Sequence, residues 1–571
     1  GRSGGGGRAR APGGPPDAWS DSVGEPKCDP STGALGPPEV GRIAVDHARP
    51  GHFKDEHNRT RLFHGVNAVV KQAPWLPSSD AFNPTNSVSR EDAVLLSRLG
   101  MNVVRLGIMW PAIEPVRGQY NYTYLEDVAT IVDLLAQEGI HTILDLHQDL
   151  MSERYCGEGV PAWARAPPLK QSLQEFLGFP FPVDKPYKLD EDGFPKKEDC
   201  LKHPWAHYYF SLEMNRFQSG FFANYDGILQ SFAEMWGIVA QRFRDANVLG
   251  YELLNEPWAG NVLQHPSYLL PKKADRAVLQ SAYRKIAVEI RKYDRETPIF
   301  FEPVTYDNVQ PGFTETPDAF MGEASQSVLA YHNYNPLPAL STHFQILENK
   351  RAAETLNAGA FLTEFGLYNL DDQHGGTRQH FLETLDAADK AHQSWTSWQY
   401  KKYVNLTGST SGFFHPNGTL DEEMVSAHDR PYPMAVAGSL FTTEYLPCAA
   451  RNTCTPGAPE GKERALPSDA ENLYRLEYNA CHPPPSDQAN GEGAQQTMTT
   501  LIHIPYRWSR QLLFWSLSAS FGEPRHIHVC VSDQIMRITH KAGLAGAQIS
   551  VHFYPVNKQE GEHPAKSRTA G

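Results

Sequence analysis

The sequence predicts an α/β chain, a (β/α)8 TIM barrel followed by a C-terminal antiparallel β-sandwich domain. Two observations carry the barrel: short apolar runs alternate with amphipathic helical stretches, and several of those runs stop abruptly at polar groups. A third carries the sandwich. Past about residue 430 the helical period vanishes and short β-type runs alternate with turns.

Taken in order, residues 1–40 are rich in Gly, Pro and Arg without apolar periodicity and predict a disordered leader. Residues 41–428 are assigned to the barrel. Arg61–Asn67 reads as its first strand. Ser89–Gly100 then reads as a capped amphipathic helix with its Gly stop. Asn102–Leu106 is a second strand, Tyr124–Glu138 a helix and His141–Asp149 a third strand. A helix near Ile228–Arg244 leads into the apolar run that ends at Asn255-Glu256-Pro257, and Lys273–Lys292 reads as the next helix. Runs at Pro298–Pro303, Ser327–His332, Ala360–Gly366 and Ser394–Gln399 complete eight. No Gly-x-Gly-x-x-Gly follows an early strand, which removes the main argument for an open dinucleotide-binding sheet.

The longest interruption, about residues 152–221, follows the third strand on the presumed active-site face. Its Trp163, Phe176, Phe179, Phe181, Trp205, Tyr208 and Tyr209 suit either a local core or an apolar wall beside the barrel mouth. Residues 429–571 are assigned to the sandwich. Its β-type runs are Leu473–Tyr478, Thr499–Ile504, His526–Val531 and Gln548–Phe553.

With 571 residues the chain exceeds one ordinary core, in keeping with two domains. A net charge of -14 offers nothing to nucleic acid and opposes adsorption to anionic lipid, while leaving neutral glycans and glycolipids open. No apolar run is long enough for a transmembrane segment. The chain begins with Gly1 and shows no signal peptide, so a processed or partial segment is expected. Sequons at Asn58, Asn121, Asn405 and Asn417, with Cys448, Cys454, Cys481 and Cys530 clustered near the end, point to a secreted or lysosomal protein. Disulfides are expected among those four cysteines, and between Cys156 and Cys200 across the insertion.

Two strands ending in Glu, Leu253-Leu254-Asn255-Glu256-Pro257 and Phe361-Leu362-Thr363-Glu364-Phe365, are what glycosidic cleavage requires. One carboxylic acid protonates the leaving oxygen while one carboxylate meets the anomeric carbon, and Asn255 can donate to the sugar 2-hydroxyl. Asn-Glu-Pro alone also suits an ordinary capped strand end, Arg105 a structural ion pair, and His332 and Trp398 ordinary core packing. The order of these residues along one barrel favours the chemical reading.

At these residues the chain resembles glycoside hydrolase family 5, and within it the endoglycoceramidases and related glycosylceramidases. The general marks are Asn255-Glu256-Pro257, His332 with Tyr334, Glu364-Phe365-Gly366, Arg105, His147 and Trp398. More specific marks are Leu146-His147-Gln148-Asp149, the run from Cys156 to Trp163, and Phe301-Glu302-Pro303-Val304-Thr305, which look like the eukaryotic branch. The resemblance implies that Glu256 is the acid/base and Glu364 the nucleophile of a retaining enzyme. Arg105 and Tyr334 would orient Glu364, His147 and His332 would line the first sugar site, and Trp398 would stack under its ring. Lys71 and Asp149 resemble positions that contact the next sugar, although a surface salt bridge explains them as well. One departure, Asn333 after His332, bears on fine selectivity.

The implied activity is hydrolysis of the bond between a glycan and ceramide, with a glycosphingolipid as substrate and contact with a membrane or micelle. No metal or organic cofactor is implied. The alternatives are a glucosylceramidase, steryl β-glucosidase or β-glucanase of the same family, and a silent glycolipid-binding protein.

Overall fold

Eight apolar runs pair in chain order as parallel strands, and the last closes on the first. The computed structural model describes residues 20–23, 40–168, 170, 176–183, 187–191, 193–306, 310–334, 341–366, 376–403, 412–415, 417–447, 472–480, 497–508, 512–520, 527–532, 534–541 and 544–556. The barrel strands are β1 His64–Ala68, β2 Val103–Ile108, β3 His141–Leu146, β4 Val248–Glu252, β5 Ile299–Phe301, β6 Ser327–Asn333, β7 Gly359–Phe365 and β8 Ser394–Ser397. Nearly every residue of these strands is buried, as parallel strands covered by helices require.

The helices begin and end where local chemistry dictates. Ser89 caps Arg90–Arg98 through a reciprocal box with Asp92, and Asn121 caps Tyr122–Gln137. The stretch expected as one helix from Lys273 to Lys292 instead opens with a wide turn, Asp275–Leu279, before Gln280–Arg291. Asp275 uses that turn to accept from the Val304 and Gly312 backbone N–H groups at 2.9 and 2.7 Å, which fixes the loop after β5.

The barrel interior is closed at the amino-terminal end of its strands by a hairpin, Ile43–Val45 with Phe53–Asp55. Phe53 packs there on Phe63, Phe300 and Phe361 with ring centroids 5.6–6.4 Å apart. The hairpin is also part of a seven-stranded antiparallel sheet whose other members include Thr60–Arg61, Tyr432–Val436 and Thr497–His503. A five-stranded sheet holds Gly438–Pro447, Asn472–Ala480, Leu512–Ala519 and Gln548–Val556, and these two sheets enclose the second core.

The sequence boundaries need correction at the amino-terminal side. Ser20–Val23, expected in a disordered leader, is a strand paired with Phe514–Leu517, and residues 43–61, expected in the barrel, supply three strands of the second domain's sheet. Ile43–Val45, Phe53–Asp55 and Thr60–Arg61 pair locally with one another, but the partners that place them in the second domain's sheet, as for Thr60 with Val436, and the partner of Ser20–Val23 lie more than 350 residues away, so no local period reveals the assignment. Tyr432 joins the two bodies: its hydroxyl donates to Gly100 O at 2.7 Å, and its ring stacks on His64, which stacks in turn on Trp395.

The insertion is ordered by the Cys156–Cys200 disulfide, short helices at Lys197–Cys200 and Trp205–Phe210, and the helix Leu212–Phe222. Cys530 is also disulfide-bonded, while Cys448, Cys454, Cys481 and the sequon at Asn405 lie outside the described residues. The cross-link closes a loop with a sequence separation of 44. Cys200→Ser is therefore expected to lower stability by about 2–4 kcal/mol. Limited proteolysis of the non-reduced proteins should show faster cleavage between residues 157 and 199 in the variant.

Candidate active site

The carboxyl ends of the strands converge on Arg105, a fully buried side chain of β2. Its guanidinium donates to Glu252 at 2.6 Å, Asn67 at 2.9 Å, Glu364 at 2.6 Å and Asn255 at 2.8 Å, and also lies 3.0 Å from Asp145. One planar fork thus ties together residues at β1, β3, β4 and β7.

Glu364, on β7, accepts from Arg105 on Oε1 and from the Tyr334 hydroxyl on Oε2 at 2.9 Å. Glu256, four residues past the end of β4, has Oε1 2.7 Å from His332 Nδ1 and a further hydrogen bond to the Thr305 side chain. The backbone of Glu256 has φ of 39°, a left-handed conformation that costs a non-glycine residue about 1–2 kcal/mol. Three hydrogen bonds offset this: the Glu256 N–H donates to Glu302, and the Gln148 amide donates to the carbonyls of Asn255 and Glu256 at 2.7 and 3.1 Å. An oxygen of Glu256, an oxygen of Glu364 and a ring nitrogen of His332 all lie within 4.8 Å of one another.

Burial raises both carboxyls above their ordinary range. Glu256 is pushed up to about 7, with the Asp149 charge adding to burial. Burial also raises Glu364, though His332 and Arg105 pull against it. The two acids therefore differ in their partners: Glu364 receives donors that suit an ionised carboxylate, whereas Glu256 retains a proton near neutrality.

On the other side of the site His147 Nδ1 lies 2.7 Å from Asp145, and its ring stacks on Trp398 with centroids 5.4 Å apart. Lys71 sits 4.9 Å from the centre of the Trp398 ring and hydrogen-bonds Asp149, with Glu158 at 3.7 Å. These groups are buried, so the pair is not a surface salt bridge. Burial opposes the Lys71 charge, yet Asp149 and Glu158 outweigh it and hold the ammonium above its ordinary value. Glu158 reaches Asp149 because Gly157 and Gly159 flank it: a Cβ on Gly157 would stand 1.9 Å from Asp149 O, and Gly159 has φ of 115°.

All ten residues singled out from sequence, Lys71, Arg105, His147, Asp149, Asn255, Glu256, His332, Tyr334, Glu364 and Trp398, belong to this one connected set. From sequence alone Asn67, Asp145, Glu158, Glu252 and Glu302 carry no role of their own. The available signal was an acid inside an apolar parallel strand, which has to be paired or protonated. Glu252, Glu302 and His332 offer a second close cluster of donor atoms. Both clusters border Arg105, whose guanidinium lies 2.6 Å from Glu252 and Glu364 and 3.6 Å from Glu302.

The family model described as Cellulase (glycosyl hydrolase family 5) matches residues 66–404. An endoglycoceramidase of Cyanea nozakii is 39% identical over 392 residues, covering 67% of this chain and 75% of that protein. An endoglycoceramidase of Hydra vulgaris is 37% identical over 389 residues, covering 67% and 72%. The solved structure of endo-glycoceramidase II from Rhodococcus sp. superposes with a TM-score of 0.62 at 21% identity, over 89% of this chain and 100% of that one, and so shares the fold. The chain thus belongs to glycosyl hydrolase family 5, among its endoglycoceramidase-like members, and is a glycoside hydrolase.

Proposed function

We propose that the chain cleaves the β-glycosidic bond between glycan and ceramide with retention, using Glu364 as nucleophile and Glu256 as acid/base. The observation that carries the reading is the separation of the two carboxyls, within 4.8 Å at their nearest oxygens. That fits the about 5–5.5 Å of retaining enzymes and leaves no place between them for the attacking water of an inverting one.

In the first step Glu364 attacks the anomeric carbon while Glu256 transfers its proton to the glycosidic oxygen, so ceramide leaves as an alcohol and a glycosyl ester forms. In the second step the Glu256 carboxylate takes a proton from water, which attacks the anomeric carbon and frees Glu364. Arg105 and Tyr334 favour ionised Glu364. Asn255 gives one amide N–H to Gln148 O at 3.1 Å, and its second N–H serves the sugar 2-hydroxyl. His147 and His332 border the first sugar and Trp398 supplies its stacking face. Lys71 and Asp149 hold the sugar beyond.

The ceramide side starts at Trp258, two residues past the acid/base. Trp258 stacks on Tyr209 at 4.8 Å and meets Phe210 and Tyr306 edge-on at 5.3 and 5.1 Å. Phe210 is 47% exposed and Phe176 83%, which supplies apolar surface for an alkyl chain and for a membrane or micelle face. Residence in a secretory or lysosomal lumen accords with the disulfides and with the exposed sequon residues Asn58, Asn121 and Asn417. No helix among the described residues is long and apolar enough to cross a membrane.

Glu364→Gln is expected to reduce kcat by on the order of 10⁵ on every substrate. Glu256→Ala should lose about 10²–10⁴ on glycosphingolipids and recover in azide only with activated aglycones, giving a glycosyl azide of retained configuration by NMR. A product of inverted configuration, or no recovery, overturns the role assignment.

The pH profile follows from the two shifts. Glu256 works as the protonated acid, so kcat/KM on a glycosphingolipid should fall as pH rises through about 7. Glu364 works ionised, so the acid limb should lie above the ordinary carboxylate range. With an activated aryl glycoside that needs no acid, the basic limb of glycosylation should disappear.

Substrate class is tested by mass spectrometry of products from glucosylceramide, lactosylceramide, a ganglioside, a steryl glucoside and cellotetraose in detergent. Intact oligosaccharide and free ceramide support the reading, and preferential cleavage of cellotetraose or the sterol conjugate overturns it. Because each buried methylene contributes about 0.8 kcal/mol, a few methylenes on the aglycone should change kcat/KM at least about tenfold below the micelle-forming concentration.

A further inference from the structure

Behind the two reactive carboxyls lies a third that the mechanism above does not use. Glu302 follows β5 directly and is almost fully buried. Its Oε2 accepts from the Glu256 backbone N–H at 3.3 Å and lies 3.4 Å from His332 Nε2, while His332 Nδ1 is 2.7 Å from Glu256 Oε1. The order in space is carboxyl, imidazole, carboxyl. The Tyr283 hydroxyl donates to the Glu302 carbonyl at 2.9 Å and holds the backbone from outside the barrel.

We propose that Glu302 is a positioning residue for the acid/base, fixing the His332 tautomer so that Nδ1–H points at Glu256 Oε1. The inference rests on the reading of Glu256 as acid/base. Its chemistry follows from the count of charges around Glu302. Arg105 faces Glu252, Asp145 and Glu364 within 3.0 Å and Glu302 at 3.6 Å, one cation for four carboxyls, so an ionised Glu302 lacks a counter-charge of its own. Burial, with the Glu252 charge behind it, pushes Glu302 well above the carboxylate range, against the opposing pull of Arg105 and with Glu256 and Glu364 adding to the rise. In the proposal Glu302 keeps its proton and turns it toward Nε2, which lies 3.4 Å from its Oε2.

His332 is itself held neutral by burial, against Glu364, Glu252 and Asp145 and with Arg105 in support. A neutral imidazole that accepts on Nε2 carries its hydrogen on Nδ1. That hydrogen suits Glu256 in both of its states, because Oε1 accepts it as the carbonyl of an acid or as part of a carboxylate. The reactive proton is then left for Oε2, and no proton passes along the chain. Asp149, Lys71, Arg105 and Thr305 also act on Glu256, and Glu364 Oε2 lies 3.5 Å from His332 Nδ1 as a second acceptor for the same hydrogen.

The test compares Glu302→Met with Glu302→Gln in the full chain. Methionine removes the donor, so Nδ1 is free to accept from Glu256, which draws the acid proton away from the leaving oxygen. Glu302→Met should therefore lose about tenfold in kcat on lactosylceramide, with the basic limb of kcat/KM moved up by about one pH unit. The amide of glutamine donates to Nε2 as the acid does but gives up the acceptor for the Glu256 N–H, so Glu302→Gln should restore the position of the basic limb and only part of kcat. Trapping of Glu364 by a 2-deoxy-2-fluoro-glycosyl fluoride, which needs no acid, should proceed at the wild-type rate in both variants. A methionine variant with an unchanged profile, or one whose trapping rate falls in parallel, overturns the inference.

Should the methionine variant not fold, ¹⁵N spectra of histidine-labelled wild-type protein decide the matter. The His332 signals should report protonated Nδ1 and bare Nε2 from pH 5 to 8, and the opposite tautomer or an imidazolium overturns the inference. Neither result depends on the assignment of Glu256, which stands or falls on azide rescue of Glu256→Ala.

Discussion

The site depends on the Arg105 guanidinium. A buried cation costs several kcal/mol to desolvate, and only carboxylates in good geometry offset that. Here Glu252, Glu364 and Asp145 lie within 3.0 Å of it and Asn67 and Asn255 accept as well, so the fork is filled on every side. A lysine has one point of charge and cannot span these partners. The arginine also decides which acids can be ionised. With three carboxylates already shared on one cation, burial leaves Glu302 and Glu256 holding protons, and Glu364 becomes the carboxylate best provided with donors.

Such a network needs walls that do not move. Barrel strands supply Arg105, His332 and Glu364 from within their hydrogen-bonded length, while Glu256 and Trp398 follow strand ends pinned by neighbours. Gln148 grips the carbonyls of Asn255 and Glu256, Asp275 grips the loop after β5, and Gly366 bridges to Trp398. The opposite end of the barrel is plugged by Phe53 from a hairpin that belongs to the second domain's sheet. The sandwich is thereby fastened to the barrel by backbone pairing as well as by packing, through Thr60–Arg61 with Ala435–Val436.

How much of this the sequence reveals depends on the range of the interaction. Each barrel strand announces itself locally, as an apolar run that stops at a polar group, and Ser89 marks a helix start without further context. Glu256 and Glu364 are visible for the same reason. The strands at 20–23 and 43–61 are too short to show a period, and the pairings that place them in the second domain, Ser20–Val23 with Phe514–Leu517 and Thr60–Arg61 with Ala435–Val436, are remote in the chain, so the sequence alone assigns them to leader and barrel. The buried acids are hidden differently. Glu252 looks like an interruption of an apolar run until Arg105 is seen opposite it, and Glu302 looks like one more strand end until His332 is seen beside it. Lys71 and Asp149 were ambiguous because a salt bridge reads alike at a surface and in a core, and only their burial with Glu158 separates the two.

In the proposed reading the two reactive carboxyls stand at a boundary between unlike environments. Toward Lys71, Asp149, Glu158 and His147 the lining is charged and hydrogen-bonded, material that recognises hydroxyls. Past Glu256 in the chain, Trp258 packs on Tyr209, Phe210 and Tyr306, with Phe210 exposed, and on that reading this aromatic set forms the other half. A substrate that is polar on one side of the scissile oxygen and apolar on the other matches both halves at once, whereas a uniform glucan would lay hydroxyls on the aromatic half. Burying a hydroxyl without a partner costs about 1–3 kcal/mol, so a few such contacts outweigh what added sugar stacking returns. In the proposed reading the selectivity for a lipid aglycone therefore resides in the insertion and the loop after Glu256, while the barrel floor supplies the chemistry common to the family.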